Sequence, residues 1–137
     1  MSRARAGTAL VEFAVAWPAA LLLALGCVEF SVWSAEALAV RSAALAGARA
    51  ASIAGGSESV ASQVTLRVLA PNLVGTAAAA WCPGQAGAAP VVWVCARDAG
   101  QTIDVTIGGT APAIVPLVAG AGLPLHAHVA LRKEVFS

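Results

Sequence analysis

Tyrosine is absent from this 137-residue chain, and lysine occurs once, at Lys133. Charged residues make up 11%, well under the share of about a quarter usual in soluble domains. The net charge is +1 and no basic stripe carries interleaved aromatics, which excludes broad electrostatic recognition of nucleic acid. Disorder is excluded by the opposite balance, 59% hydrophobic residues and little net charge. No glycine-rich phosphate loop precedes a lysine. Gly55-Gly56-Ser57-Glu58-Ser59 lacks the closing glycine of a nucleophile elbow. Asp98, Asp104 and Glu134 show no acid–base pairing in sequence. His126 and His128 stand alone, without cysteines or carboxylates at metal-ligand spacing, and are expected as solvated side chains on a sheet face. No enzyme, metal or cofactor is expected.

What the chain does have is one long apolar run near its start. Arg3 and Arg5 precede it, and Phe13 to Val28 carries no charge. Thr8 to Trp33 is long enough to span a bilayer, which takes about 20 largely apolar residues, with Glu12 and Glu29 near its two ends. Arg3 and Arg5 set the start of the chain in the cytoplasm by the positive-inside bias, and everything after Trp33 outside. Trp33 suits an interfacial belt, whereas Trp17 lies too deep for one.

Three other readings of this segment compete with a retained anchor. A cleaved secretory signal has Ala35-Glu36-Ala37 as its small-x-small site, but its apolar stretch is long and Glu12 stands at its start. Leu25-Gly26-Cys27 loosely matches a lipobox, but Ala24 stands where leucine is preferred and apolar residues follow Cys27. A buried helix of a soluble protein sits poorly with two arginines beside so long an apolar run. Glu12 discriminates further. A carboxylate at the edge of the hydrocarbon is costly unless it reaches the interface or meets a cation from another subunit.

Gly7-Thr8-Ala9-Leu10-Val11-Glu12-Phe13 resembles the processing site of type IV prepilin-like proteins. The resemblance implies cutting by a prepilin peptidase between Gly7 and Thr8, with Glu12 as fifth residue of the mature chain. Ala14-Val15-Ala16-Trp17-Pro18, the leucines Leu21-Leu22-Leu23 and the C-terminal Ala130-Leu131-Arg132-Lys133-Glu134 are similar to the TadE-like family of Tad pilus assembly proteins. Thr8 stands where major pilins start on an apolar aromatic or methionine, so the resemblance implies a minor subunit. It implies other pilin-like subunits, the inner-membrane Tad machinery and membrane lipid as partners. Cutting removes both arginines and frees an amine at Thr8, which can pair with Glu12 of a neighbouring subunit and offset the cost of an unpaired carboxylate.

The remainder reads as a small domain. A helix continues from the anchor to about Ala54, with Arg41 and Arg49 on one face, and Gly55-Gly56 ends it. Ser57 caps a second helix with Glu58 in its first turn; Val60, Val64 and Val68 recur at helical spacing, and Pro71-Asn72 closes it. Pro71 to Pro90 reads as loop. Val91 to Cys95 and Thr102 to Ile107 read as strands, the second ended by Gly108-Gly109. Ala113 to Val118 reads as an edge strand interrupted by Pro116. Leu125 to Val135 alternates, with Leu125, Ala127, Val129 and Leu131 facing one way and His126 and His128 the other. Cys82 and Cys95, outside the cytoplasm on this topology, are expected to form a disulfide worth about 3 kcal/mol by loop entropy. Cys27 is expected as a small packing residue of the apolar helix.

The expected fold class is α+β: an N-terminal transmembrane helix extended into a helical segment and packed against a small antiparallel sheet. The expected divisions are a prepilin-type leader over 1–7, a transmembrane helix over 8–33 and an extracytoplasmic domain over 34–137. Two functions stay open. One is a minor pilin-like subunit or assembly factor of a Tad-type pilus or secretion system, single-pass in the bacterial inner membrane. The other is a membrane-tethered or secreted binding domain unrelated to pili.

Overall fold

One helix, α1, runs unbroken from Arg3 to Ser52 in the computed structural model, which describes residues 3–53, 55–115 and 122–134. At 1.5 Å per residue its 50 residues extend about 75 Å. Alanine and leucine dominate its sequence, and both are strong helix formers. Pro18 sits inside the helix without ending it. Leu10 to Leu23 are exposed along the first half of α1, with Val15 and Leu10 each 70% exposed. The second half is packed: Val40, Ala43, Ala44, Ala48 and Ala51 are fully buried. Arg41 and Arg49 face outward, as the spacing requires.

Beyond Ser52 the chain reverses sharply. Gly55 takes a φ of +85°, and the Gly56 N–H donates to the Ile53 carbonyl. A side chain on Gly56 would collide with the backbone of Ala51. The expected limit at Ala54 lies outside the described residues. Ser57 caps α2, Glu58–Leu69, through the Val60 N–H. A short 3-10 turn over Ala70–Asn72 ends it.

The face that α2 buries is Ala61, Thr65 and Leu69, one position on from Val60, Val64 and Val68. The reason is the closeness of the two helices. A Cβ built on Gly47 would lie 1.9 Å from Thr65 Oγ1 and 2.7 Å from the Ala61 carbonyl oxygen. Only small side chains fit such a seam, so alanine and threonine displace valine from it.

Four strands form one sheet in the order β1-β2-β3-β4: Ala78–Ala80, Val92–Asp98, Thr102–Pro112 and Gly122–Arg132. β2, β3 and β4 are antiparallel neighbours. β1 pairs parallel with β2, which makes the sheet mixed rather than wholly antiparallel. β1 also interrupts the expected loop over Pro71–Pro90. Its three alanines carry little strand preference and are held by their partners Val92, Trp93 and Val94.

β3 does not stop at Gly108-Gly109 but runs on to Pro112. Gly108 leaves room for the Trp93 ring, and Gly109, at φ +141°, lies against the Val91 carbonyl. Ala113–Val115 is not a strand; Pro116–Val118 of that expected strand and Val135 of the last one lie outside the described residues.

The core lies between the inner sheet face and the helices. Val92, Val94, Ile103, Val105, Ile107 and Leu125 project from the strands onto α1 and α2. β4 places Leu125 and Ala127 inward and His126 and His128 outward, in keeping with its alternation. Trp33 Nε1 donates to the Pro124 carbonyl at one end of β4, and the Glu134 N–H donates to the Ser52 carbonyl at the other. β4 therefore runs alongside α1 in the same direction. Its outer edge pairs with no strand among the described residues.

The far end of the sheet is closed by polar contacts. Lys133 Nζ bonds Asp98, and the Asp98 N–H donates to Glu58 Oε1 at 2.6 Å. Lys133, and then the Gly100 N–H, hold the Asp98 carboxyl below the usual aspartate range.

Two outcomes follow for the full chain in detergent. Gly47→Ala should destabilise the packed half by roughly 1–3 kcal/mol through overpacking. Gly26→Ala, with nothing within 4 Å of the added Cβ, should leave the transition in place. Thermal unfolding by near-ultraviolet circular dichroism compares them; equal transitions would contradict a size-limited seam. For Asp98, carboxyl NMR should give a midpoint below about 3.9, moving up in Lys133→Met. Because the folded value is depressed, its share of stability is full above the unfolded value and is lost as pH falls through the folded one.

Candidate functional site

The residues singled out for processing and assembly all lie on α1. Gly7 and Thr8 fall within its first turns, and Glu12 is exposed on the apolar half. Glu12 has no hydrogen-bond or ion-pair partner among the described residues. Phe13 and Trp17 stack on one another beside it, their centroids 6.1 Å apart. Around Glu12, Leu10, Val11, Phe13 and Val15 are each at least 65% exposed. An unpaired carboxylate in a collar of exposed apolar side chains is chemically unfinished. It calls for a cation from outside the chain or for the polar edge of a bilayer.

The other two carboxylates of α1 are satisfied within the chain. Glu29 accepts from the backbone N–H groups of Ile114 and Val115 at 3.0–3.1 Å. Glu36, only 3% exposed, accepts from the Val74 N–H at 2.9 Å. Each therefore fastens one connection of the small domain to the helix. In sequence Glu29 marks only the end of the apolar run, and Glu36 only part of a small-x-small site. Their separation of seven residues, which places both on one face of a helix, is the signal that could have found them.

The structure does not gather the remaining residues with Glu12. Cys82 and Cys95, the latter midway along β2, are bonded to one another, their Cα atoms 4.7 Å apart. They clamp the loop over Pro83–Pro90, beside Trp81 and Trp93, whose rings meet edge to face at 5.9 Å. Cys27 is a free thiol exposed on the apolar half of α1.

On the outer sheet face Trp93, Arg97, Asp104, Thr106 and His128 line a shallow groove of about 370 Å³. His128 Nε2 stands 3.9 Å from Asp104 Oδ1. Among the described residues no three histidine, cysteine or acidic side chains come together in a metal-binding group.

The exposed apolar half of α1 is long and apolar enough to cross a membrane, and its most apolar stretch is not buried in the chain. The family model for TadE-like proteins matches residues 7–49. The resemblance to that family at Ala14–Pro18 and Leu21–Leu23 falls inside the match, which extends along α1 through the buried Glu36 to Arg49. It does not reach Ala130–Glu134, the C-terminal stretch that resembled the family. No curated protein and no solved structure matches the chain.

Glu36→Ala should orphan the Val74 N–H and cost roughly 1–3 kcal/mol. Glu36→Gln, which keeps an acceptor oxygen, should lose much less. Amide hydrogen exchange at Val74 reports this locally: it should accelerate in Glu36→Ala. Unchanged exchange there would mean that the carboxylate does not fasten this connection.

Proposed function

We propose that this chain is a minor pilin-like subunit or assembly factor of a Tad-type pilus or secretion system. It is held in the bacterial inner membrane by the first half of α1, with its small α+β domain outside the cytoplasm. The observation that carries this reading is the TadE-like match over residues 7–49. It coincides with an exposed Glu12, without a partner among the described residues, at the head of an exposed apolar helix.

The mechanism follows from charge and exposure. A prepilin peptidase cuts between Gly7 and Thr8, removing Arg3 and Arg5 and leaving a free amine on Thr8. Of the three carboxylates on α1, Glu29 and Glu36 are occupied by backbone donors of their own chain. Glu12 has no partner among the described residues and is the carboxylate offered to another subunit. Its pairing with the Thr8 amine of a neighbour relieves an unpaired charge in an apolar setting and fixes the axial stagger between helices. The exposed apolar surface of α1 first meets lipid and then, on assembly, the same surface of neighbouring subunits. The disulfide of Cys82 and Cys95 suits an oxidising compartment, which agrees with the domain's place outside the cytoplasm.

The test is to determine mature N-termini and pilus assembly in the native host. The mature chain should start at Thr8. Gly7→Leu should block cutting, since a bulky residue replaces the small one. Glu12→Gln should leave cutting largely intact but weaken association with partner subunits, and Glu12→Asp should fall between. A mature chain starting at Met1 or after Ala37 would remove the pilin-like reading. Normal assembly of Glu12→Gln would remove the charge-pairing mechanism even with cleavage confirmed.

A further inference from the structure

We propose that the base of the β3–β4 hairpin, carried by Ile114 and Val115, is a second membrane contact set into the outer interface of the lipid bilayer. This rests on the reading that the first half of α1 spans that bilayer.

Four observations converge on it. The first is height. Between Glu12 and Glu29 the helix rises about 26 Å, close to the hydrocarbon thickness of about 30 Å. Glu29 therefore stands where α1 leaves the hydrocarbon. The same carboxylate holds the backbone of Ile114 and Val115, so these residues sit at that level too.

The second is composition. From Val105 to Leu125 the sequence carries no ionisable side chain. Hairpin connections in water are usually built from glycine, asparagine, aspartate and serine. Here Ile114 is 48% exposed, against the fully buried Ile103 and Ile107 on the same stretch of chain.

The third is backbone satisfaction. A segment entering an interface has little water for its peptide groups, and each orphaned N–H is costly. Glu29 supplies acceptors to two consecutive N–H groups where the chain turns away from the sheet. The two N–H groups in turn solvate the carboxylate at the lipid boundary.

The fourth is the aromatic surround. Trp33, one turn above Glu29, bonds the Pro124 carbonyl where β4 returns, and Phe30 packs on it with centroids 5.8 Å apart. Phe30 stays 64% exposed. An amphipathic indole beside an exposed phenylalanine is the side-chain pairing favoured at headgroup level. With two attachments, α1 and the hairpin, the tilt of the domain against the membrane plane is restrained.

The experiment uses the full chain in phosphatidylcholine–phosphatidylglycerol vesicles, in a Cys27→Ser background that keeps the Cys82–Cys95 bond. Single spin labels are placed at Ile114→Cys, at Leu22→Cys in the span and at Ala130→Cys on the outer sheet face. Collision with oxygen and with an aqueous nickel chelate gives each label's depth. The label at 114 should lie about 5–10 Å below the phosphates, the depth of interfacial apolar segments. The label at 130 should be aqueous, and the depth at 114 should not change when protein is diluted in lipid. A label at 114 as wet as the one at 130, with 22 in lipid, overturns the contact and leaves the span intact. Labels at both 22 and 114 in water overturn the span and the contact together. A label at 114 that is dry at high protein density and wet on dilution assigns the surface to a neighbouring copy and overturns the lipid assignment. On the unaltered chain, a lipid with a photoreactive group near its headgroup should crosslink to the peptide containing Ile114 and Val115. Absence of that adduct, with crosslinks present on the span, also overturns it.

Discussion

A single rigid helix has to satisfy two solvents. The first half of α1 presents leucine, valine and phenylalanine outward, while the second half turns alanines inward onto a sheet. No hinge separates the two regimes, because hydrogen bonding is continuous through Ser52. Every other element is placed by that continuity. The sheet can cover α1 only above the apolar half, and the connections at its lower end must meet the helix where the solvent changes. The alanine-rich upper half is what makes close cover possible, since small side chains let β3, β4 and α2 approach the helix.

The carboxylates of α1 mark these zones by what they bind. Glu36, inside the domain, accepts from the backbone at Val74, and Glu29, at the lower rim, accepts from the backbone at Ile114 and Val115. Backbone donors suit this task, because they satisfy a carboxylate without adding a second charge that would also need solvation. Glu12 has no such partner among the described residues. The three residues are chemically identical and differ only in what the fold brings to them.

Much of this was legible in sequence wherever periodicity and caps acted locally. The apolar run, Ser57 as a cap, the alternation of Thr102–Ile107 and the inward face of Leu125 and Ala127 all follow from side-chain pattern. What escaped was decided by contact between distant segments. The alanines Ala78–Ala80 become a strand only because β2 offers an edge. Gly108 and Gly109 read as terminators, yet they extend β3 by admitting Trp93 and the backbone of Val91. The buried face of α2 shifted from valine to Ala61 and Thr65 because Gly47 brings the helices close. At the site, Glu12 stood out by local chemistry alone, whereas Glu29 and Glu36 needed partners far away in sequence.

The free edge of β4 carries a consequence for self-association. Unpaired edges invite the same strand from a second molecule, most readily in antiparallel fashion. Because β4 points the same way as α1, antiparallel union of two copies would aim their helices in opposite directions. Two chains rooted in one bilayer cannot adopt that arrangement. The anchor thus acts as a polarity filter: while it is embedded, it forbids the edge-to-edge dimer that a detached domain would be free to form.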